Sequence, residues 1–156
     1  VRLLALKGRT AAEVGRLLER RGFEPGEIEG VLTRLVSSGY LNDAEYAASY
    51  VRTRGARRAL GPVRLAAELR AKGIADAEIA AALAARAAAE DPAAAAERTA
   101  ARKWRSLRHL APEVARRRLA AHLARQGFPA DLVLTICRTT IAGDDASPPA
   151  ERPPRR

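Results

Sequence analysis

An all-α fold of tandem three-helix repeats, forming an elongated curved array, is the architecture this sequence predicts, and three observations predict it. The 156-residue chain takes 36 residues from alanine and only six from Phe, Tyr and Trp together. Alanine builds helix while adding little core, and a sheet would lack its usual aromatic and β-branched material. Glycine and proline cut the sequence into short amphipathic pieces at regular intervals. The pieces also repeat, which is the most informative of the three.

Aligning Gly22, Gly73 and Gly127 places Val14, Leu65 and Leu119 eight residues before the glycine and Leu18, Leu69 and Leu123 four before it. Ile28, Ile79 and Val133 follow six residues after it, then Leu32, Leu83 and Cys137 ten after. Four-residue spacing on both sides of a glycine describes two short helices joined by a tight left-handed turn. The intervals of 51 and 54 residues leave room for a third helix per unit.

The elements follow in order. Thr10 with Glu13 forms a capping box that opens a helix closed by Gly22. Pro25 opens the next, and Gly39 closes it. Asn42 with Glu45 reads as a second capping box, opening a helix from Asp43 that carries Tyr46, Ala47, Tyr50 and Val51 before Gly61. Pro62, Pro92, Pro112 and Pro129 each occupy a tolerated first-turn position, Asp76 is the expected cap of the Ala-rich helix, and Asp91 caps the helix at Pro92. These signals divide the chain into a partial leading helix (1–9), a first repeat (10–61), a second (62–110), a two-helix third (111–142) and a disordered tail (143–156). Val1-Arg2-Leu3-Leu4 reads as the middle of a helix, so a truncated start is among the expectations.

Charge is unevenly placed. The chain carries 28 basic and 18 acidic side chains, net +10. Residues 52–72 hold seven basic against one acidic and residues 98–125 nine against one, whereas 73–97 hold one against five. The basic segments fall at equivalent places in the repeat, which suits a phosphate backbone or an acidic groove. Two strips result, Arg52, Arg54, Arg57, Arg58 and Arg64, then Arg102, Lys103, Arg105, Arg116, Arg117 and Arg118. The competing reading is that arginine, favoured over lysine by a GC-rich coding bias, merely solvates helix faces.

Catalytic patterns are absent. His109 and His122 have no partners at metal-ligand spacing, and no P-loop, dinucleotide fingerprint or nucleophile elbow occurs. Neither a metal nor a cofactor is expected, and the protein is not expected to be an enzyme. Cys137 sits at a core position of the repeat and cannot form an internal disulfide, which suits the reducing cytoplasm. Trp104 and the tyrosines Tyr40, Tyr46 and Tyr50 read as packing residues, with Trp104 the lone candidate base-stacker. No apolar run is long enough to span a membrane and the N-terminal stretch is too short for a signal peptide, so no membrane association is expected.

Gly39-Tyr40-Leu41-Asn42-Asp43 followed by Tyr46-Ala47 and Tyr50, then Gly61-Pro62-Val63-Arg64 through Glu68-Leu69 to Lys72-Gly73-Ile74, resembles the RecX family of bacterial recombinase regulators. Arg102-Lys103-Trp104 and Arg125-Gln126-Gly127-Phe128 fit two further family segments, and the likeness runs from about residue 3 to 141. The resemblance implies three tandem three-helix repeats lying in the groove of a RecA filament on single-stranded DNA. It also implies modulation, usually inhibition, of strand exchange, ATP hydrolysis and co-protease activity, with roles in DNA repair, recombination and the SOS response. A monomer that contacts RecA and single-stranded DNA through the two strips is the expectation. The rival functions are a sequence-specific helix-turn-helix regulator of DNA and a purely structural scaffold.

Overall fold

The computed structural model describes residues 8–145, with side chains described as far as Thr140. The expected leading segment (1–7) and the tail from 146 lie outside the described residues. Between them run α1 (Ala11–Glu19), α2 (Pro25–Ser37), α3 (Asp43–Arg58), α4 (Pro62–Ala71), α5 (Asp76–Ala89), α6 (Pro92–Trp104), α7 (Pro112–Gln126) and α8 (Ala130–Asp145). Helix α8 thus continues through Asp145, past the position where the tail was expected to begin.

Local chemistry accounts for most boundaries. The Thr10 hydroxyl accepts the Glu13 N–H at 3.1 Å while the Glu13 carboxylate accepts the Thr10 N–H at 3.2 Å, the expected reciprocal box. Asn42 Oδ1 accepts the Glu45 N–H at 2.9 Å, but Glu45 returns no bond, so that box is half formed. Asp91 caps α6 through the Ala93 N–H. Asp76 is not a cap. It is already the first helical residue of α5, with Ala75 at the N-cap, and its carboxylate reaches out to Arg70 instead. Gly22, Gly73 and Gly127 sit at φ 82°, 83° and 86°, the left-handed turns that the spacing required.

The repeat positions form the interior. Val14, Leu65 and Leu119, with Leu18, Leu69 and Leu123, are all essentially without solvent contact, and Ile28, Ile79, Val133 and Cys137 join them. Three separate cores result. The first gathers Val14, Leu18, Ile28, Leu35 and Leu41. A second joins Ala47 and Val51 of α3 to Leu65 and Leu69 of α4 and to Ile79 and Ala82 of α5. The third joins Ala96 and Ala100 of α6 to Leu119 and Leu123 of α7 and to Val133 and Ile136 of α8.

This packing regroups the helices. In the expected boundaries α3 closed the first repeat (10–61) and α6 the second (62–110), leaving 111–142 with two helices. In the structure α3 belongs with α4 and α5, and α6 with α7 and α8. The reason lies in α3 itself, where Ala47 and Val51, one turn apart and fully buried, offer a narrow face that fits closely against α5. Every extensive helix pairing falls within one module. The modules meet instead through their turns.

At the first junction the Gly73 turn rests on the start of α1. The Thr10 hydroxyl donates to the Lys72 carbonyl at 2.7 Å, and Lys72 Nζ pairs with Glu13 Oε1 at 2.8 Å. At the second junction the Gly127 turn rests on the start of α4. The Gly61 N–H donates to the Gln126 carbonyl at 2.7 Å and the Val63 N–H to the Gly127 carbonyl at 3.0 Å. Those N–H groups belong to the first turn of α4 and have no partner within the helix, so the docking turn satisfies them.

Candidate nucleic-acid interface

The basic residues of α3 share a helix whose other face is committed to the core. Arg52, Arg57 and Arg58 are exposed and make no ion pair. Arg54 lies 5.3 Å from the centre of the Tyr50 ring, a cation–π contact that holds it against its own module. Arg64 is similarly engaged. Its guanidinium pairs with Glu68 at 3.0 Å and donates to the Arg125 carbonyl at 3.1 Å, so it helps fasten the second junction.

The tyrosines belong to that scaffold. Tyr46 and Tyr50 stack with ring centres 6.0 Å apart, the Tyr50 hydroxyl donates to Glu68 at 2.7 Å, and Lys72 lies over Tyr46. The hydrogen bond from Tyr50, together with the Arg64 guanidinium, holds the Glu68 carboxyl below its ordinary pKa, against the opposing effect of burial. Tyr40 is the exception, more than half exposed at the turn after α2.

In the second strip, Arg102, Arg105, Arg117 and Arg118 are exposed and without ion pairs, and Lys103 is half-buried. Arg116 is tied to Glu113 at 2.6 Å. Trp104 packs against the third core with its indole Nε1 buried and unpaired. The packing reading therefore holds for Trp104. His122 is half-buried, and burial, with the charges of Lys103, Arg125 and Arg102 added, lowers its pKa below the ordinary histidine value. Cys137 is buried as the repeat required, and burial pushes its thiol up against a weaker pull from Arg116.

The structure divides the second strip. Arg116 and Arg117 rim a groove of about 580 Å³ between α7 and α8, floored by Val114, Ala120, Leu134 and Cys137. Arg102 instead faces a cleft of about 330 Å³ between α6 and the last turn of α3, where Gly55, Ala56 and Ala59 line the opposite wall. The cleft therefore sets the helix that carries the first strip beside the start of the second, although none of Arg52, Arg54, Arg57, Arg58 and Arg64 lines it. Two arginines that the sequence did not single out, Arg86 and Arg98, line the same cleft. Arg86 was hidden in the acidic segment 73–97, although its four-residue spacing to Glu90 and the same spacing of Arg98 to Arg102 were legible signals. Among the described residues no group of His, Cys, Asp and Glu could hold a metal ion, and no helix is long and apolar enough to cross a membrane.

The fold and this surface define a modular helical-repeat protein that presents unpaired arginines along its helices and at a module junction. Family profiles for the first, second and third three-helix domains of RecX match residues 1–35, 42–83 and 89–136. The last two matches follow the observed cores, grouping α3 to α5 and α6 to α8. The chain is 36% identical over 139 residues to a "Regulatory protein RecX" of Amycolatopsis mediterranei (strain U-32), covering 89% of this chain and 79% of that one. It is 38% identical over 146 residues to the protein of the same name from Mycobacterium leprae (strain Br4923), covering 91% and 81%. A crystal structure of RecX from Lactobacillus salivarius superposes with a TM-score of 0.74 at 26% identity, over 84% of both chains. A second crystal structure, of regulatory protein RecX, gives 0.74 at 27% identity, over 85% of this chain and 65% of the other. The chain belongs to the RecX family of regulatory proteins.

Proposed function

We propose that this protein binds RecA filaments assembled on single-stranded DNA and inhibits their recombinase, ATPase and co-protease activities without catalysing a reaction itself. The observation that carries the reading is the set of exposed arginines on α3, α6 and α7 with no intramolecular partner. A folded protein gains little by concentrating uncompensated charge in this way, whereas a polyanionic partner gains directly. Modules joined in tandem suit a partner that is itself long and periodic. Bridging successive subunits of such a filament would obstruct DNA pairing by occupancy alone. The reading places the protein in the cytoplasm, where such filaments form, and a single copy supplies the whole surface.

The helix-turn-helix alternative fits the packing less well. In that mode the turn and the second helix of a hairpin approach the major groove. Here the Gly73 and Gly127 turns are spent on joining modules, and α5 lies in the acidic stretch of the chain.

Titration into a RecA ATPase assay on single-stranded DNA tests the proposal. Hydrolysis should fall in a saturable manner with added protein, and raising the salt should shift the curve to higher concentration. Unchanged hydrolysis together with no co-sedimentation on filaments would refute it.

A further inference from the structure

We infer that the cleft between α3 and α6, at the junction of the second and third modules, is a phosphodiester-binding site for single-stranded nucleic acid. The inference deepens the proposed function and rests on it only for the identity of the strand, since the site is built from this chain alone.

Three arginines line the cleft, Arg86, Arg98 and Arg102, with one carboxylate, that of Glu90. Arg86 is set deep. Its Nη1 donates to the Leu60 carbonyl at 2.9 Å and its Nη2 lies 3.6 Å from Glu90, and its guanidinium occupies the space that a side chain at Gly55 would fill. Glu90 also pairs with Arg98. Arg102 has no ion pair. One carboxylate shared between two arginines leaves the cleft with a net charge of about +2, the balance that a bridging phosphate neutralises with charge-assisted bonds.

The opposite wall explains how a backbone could enter. The Arg86 guanidinium covers Gly55, and beyond it Ala56 and Ala59 present only methyl groups, so a chain of phosphates and sugars can pass close to α3 with Arg86 beneath it. Arg52, one turn earlier on the same face as Gly55 and Ala56, continues the basic path along α3. On α6, Arg98 and Arg102 are themselves one turn apart and continue it toward Arg105. The cleft thus lies between the two helices that carry the basic strips.

Glu90 makes the proposal testable by gain as well as loss. Binding of a fluorescein-labelled oligothymidylate, followed by anisotropy in the absence of RecA, is the measurement. Glu90→Gln removes the competing carboxylate and should tighten binding by about three- to tenfold at low salt. Arg102→Gln touches no internal partner, should leave the melting midpoint unchanged, and should weaken binding while flattening the log–log salt dependence by about 0.7. A merely structural clamp would show the opposite pattern: Glu90→Gln would lower the melting midpoint, and neither substitution would move DNA affinity. That result overturns the inference. So would displacement of the oligonucleotide by dTMP at constant ionic strength, which would reassign the cleft to a free nucleotide. Because RecA is absent from the assay, failure of the filament proposal leaves these outcomes unaffected, and a wild-type effect on RecA with no response to either substitution would reject the cleft alone.

Discussion

The two module junctions use the same device and different chemistry. In both, a left-handed glycine turn from one hairpin rests on the start of the first hairpin helix in the preceding module. The turn of Gly73 meets a threonine, and its bonds run through side chains, Thr10 to the Lys72 carbonyl and Lys72 to Glu13. The turn of Gly127 meets Gly61, which stands 51 residues after Thr10 at the same place in the repeat. With no side chain in the way, backbone lies on backbone, and a Cβ at Gly61 would run into the Gly127 carbonyl. Several repeat positions therefore set the difference: Gly61 in place of Thr10 lets backbone meet backbone, and Arg64 and Gln126 in place of Glu13 and Lys72 replace the ion pair with a guanidinium bond to the Arg125 carbonyl. The first junction should respond to pH and salt, and the second should be sensitive to steric change.

Replacing each turn glycine by valine breaks this comparison most sharply. All three share the cost of a β-branched residue at positive φ, but their surroundings differ. Gly127→Val drives a Cβ into the backbone of Arg64 and should cost about 4 kcal/mol or more, opening the second junction. Gly73→Val drives a Cβ into the Cβ of Ala12, which moves only with the α1 backbone, and should cost about 3 kcal/mol or more, through one such contact where Gly127 meets several. Gly22→Val meets nothing within 4 Å and should cost only the conformational penalty of about 1–2 kcal/mol. Denaturant midpoints should fall in that order. Equal losses at all three sites would mean that the turns do not join modules.

A smaller effect is expected on binding. Changing Arg116, Arg117 and Arg118 together to Ala should preserve helicity, because only Arg116 has a partner, the exposed Glu113, and alanine is the better helix former. Affinity for the RecA–DNA filament should drop about tenfold, with the salt slope reduced by up to about 0.7 for each phosphate that is no longer neutralised. The paired change Arg57→Ala and Arg58→Ala should act in the same direction, and unchanged affinity in both would restore the solvating reading of these arginines.

The smallest effect separates the junctions by pH. Burial works to raise the Glu13 carboxyl, but the Lys72 ammonium and the Thr10 N–H outweigh it and hold its pKa below the ordinary value. Lys72 in turn is raised, chiefly by its bond to Glu13. A depressed carboxyl contributes stability that is present above its unfolded pKa and lost as the pH falls through its folded one. A raised ammonium contributes stability that is present below its unfolded pKa and lost as the pH rises through its folded one. The first junction should therefore weaken at both extremes and hold between them, by about 1 kcal/mol or less for a pair this accessible. Glu13→Gln should flatten the acid limb, while hydrogen exchange at Gly61 and Val63, in the second junction, should show no matching pH-dependent loss of protection beyond the intrinsic rate.

Much of the fold was legible in the chain. The four-residue spacings named the buried leucines, the capping box at Thr10 formed as written, and three glycines took the left-handed conformation that the turns needed. Cys137 was recognisable as core because it stood where Leu32 and Leu83 stand. The basic segments were visible as counts of charge, yet counts could not say that Arg54, Arg64 and Arg116 would be engaged by Tyr50, Glu68 and Glu113. Nor could they bring Arg86, from an acidic stretch, into line with Arg98 and Arg102.

The reason is a difference in range. Helix ends, amphipathic faces and positive-φ turns depend on residues within a turn or two of one another, so composition and spacing reveal them directly. Which helices share a core depends on how faces fit across loops of similar length. The chain α1-α2-α3-α4 reads equally well with α3 assigned backward or forward, until Ala47 and Val51 are seen packed with Leu65, Leu69 and Ile79. The same holds for the junctions and for the arginine cleft, where Gly61 meets Gly127 and Gly55 makes room for Arg86 across tens of residues. Those meetings are set by packing in three dimensions, which alone brings such distant positions together.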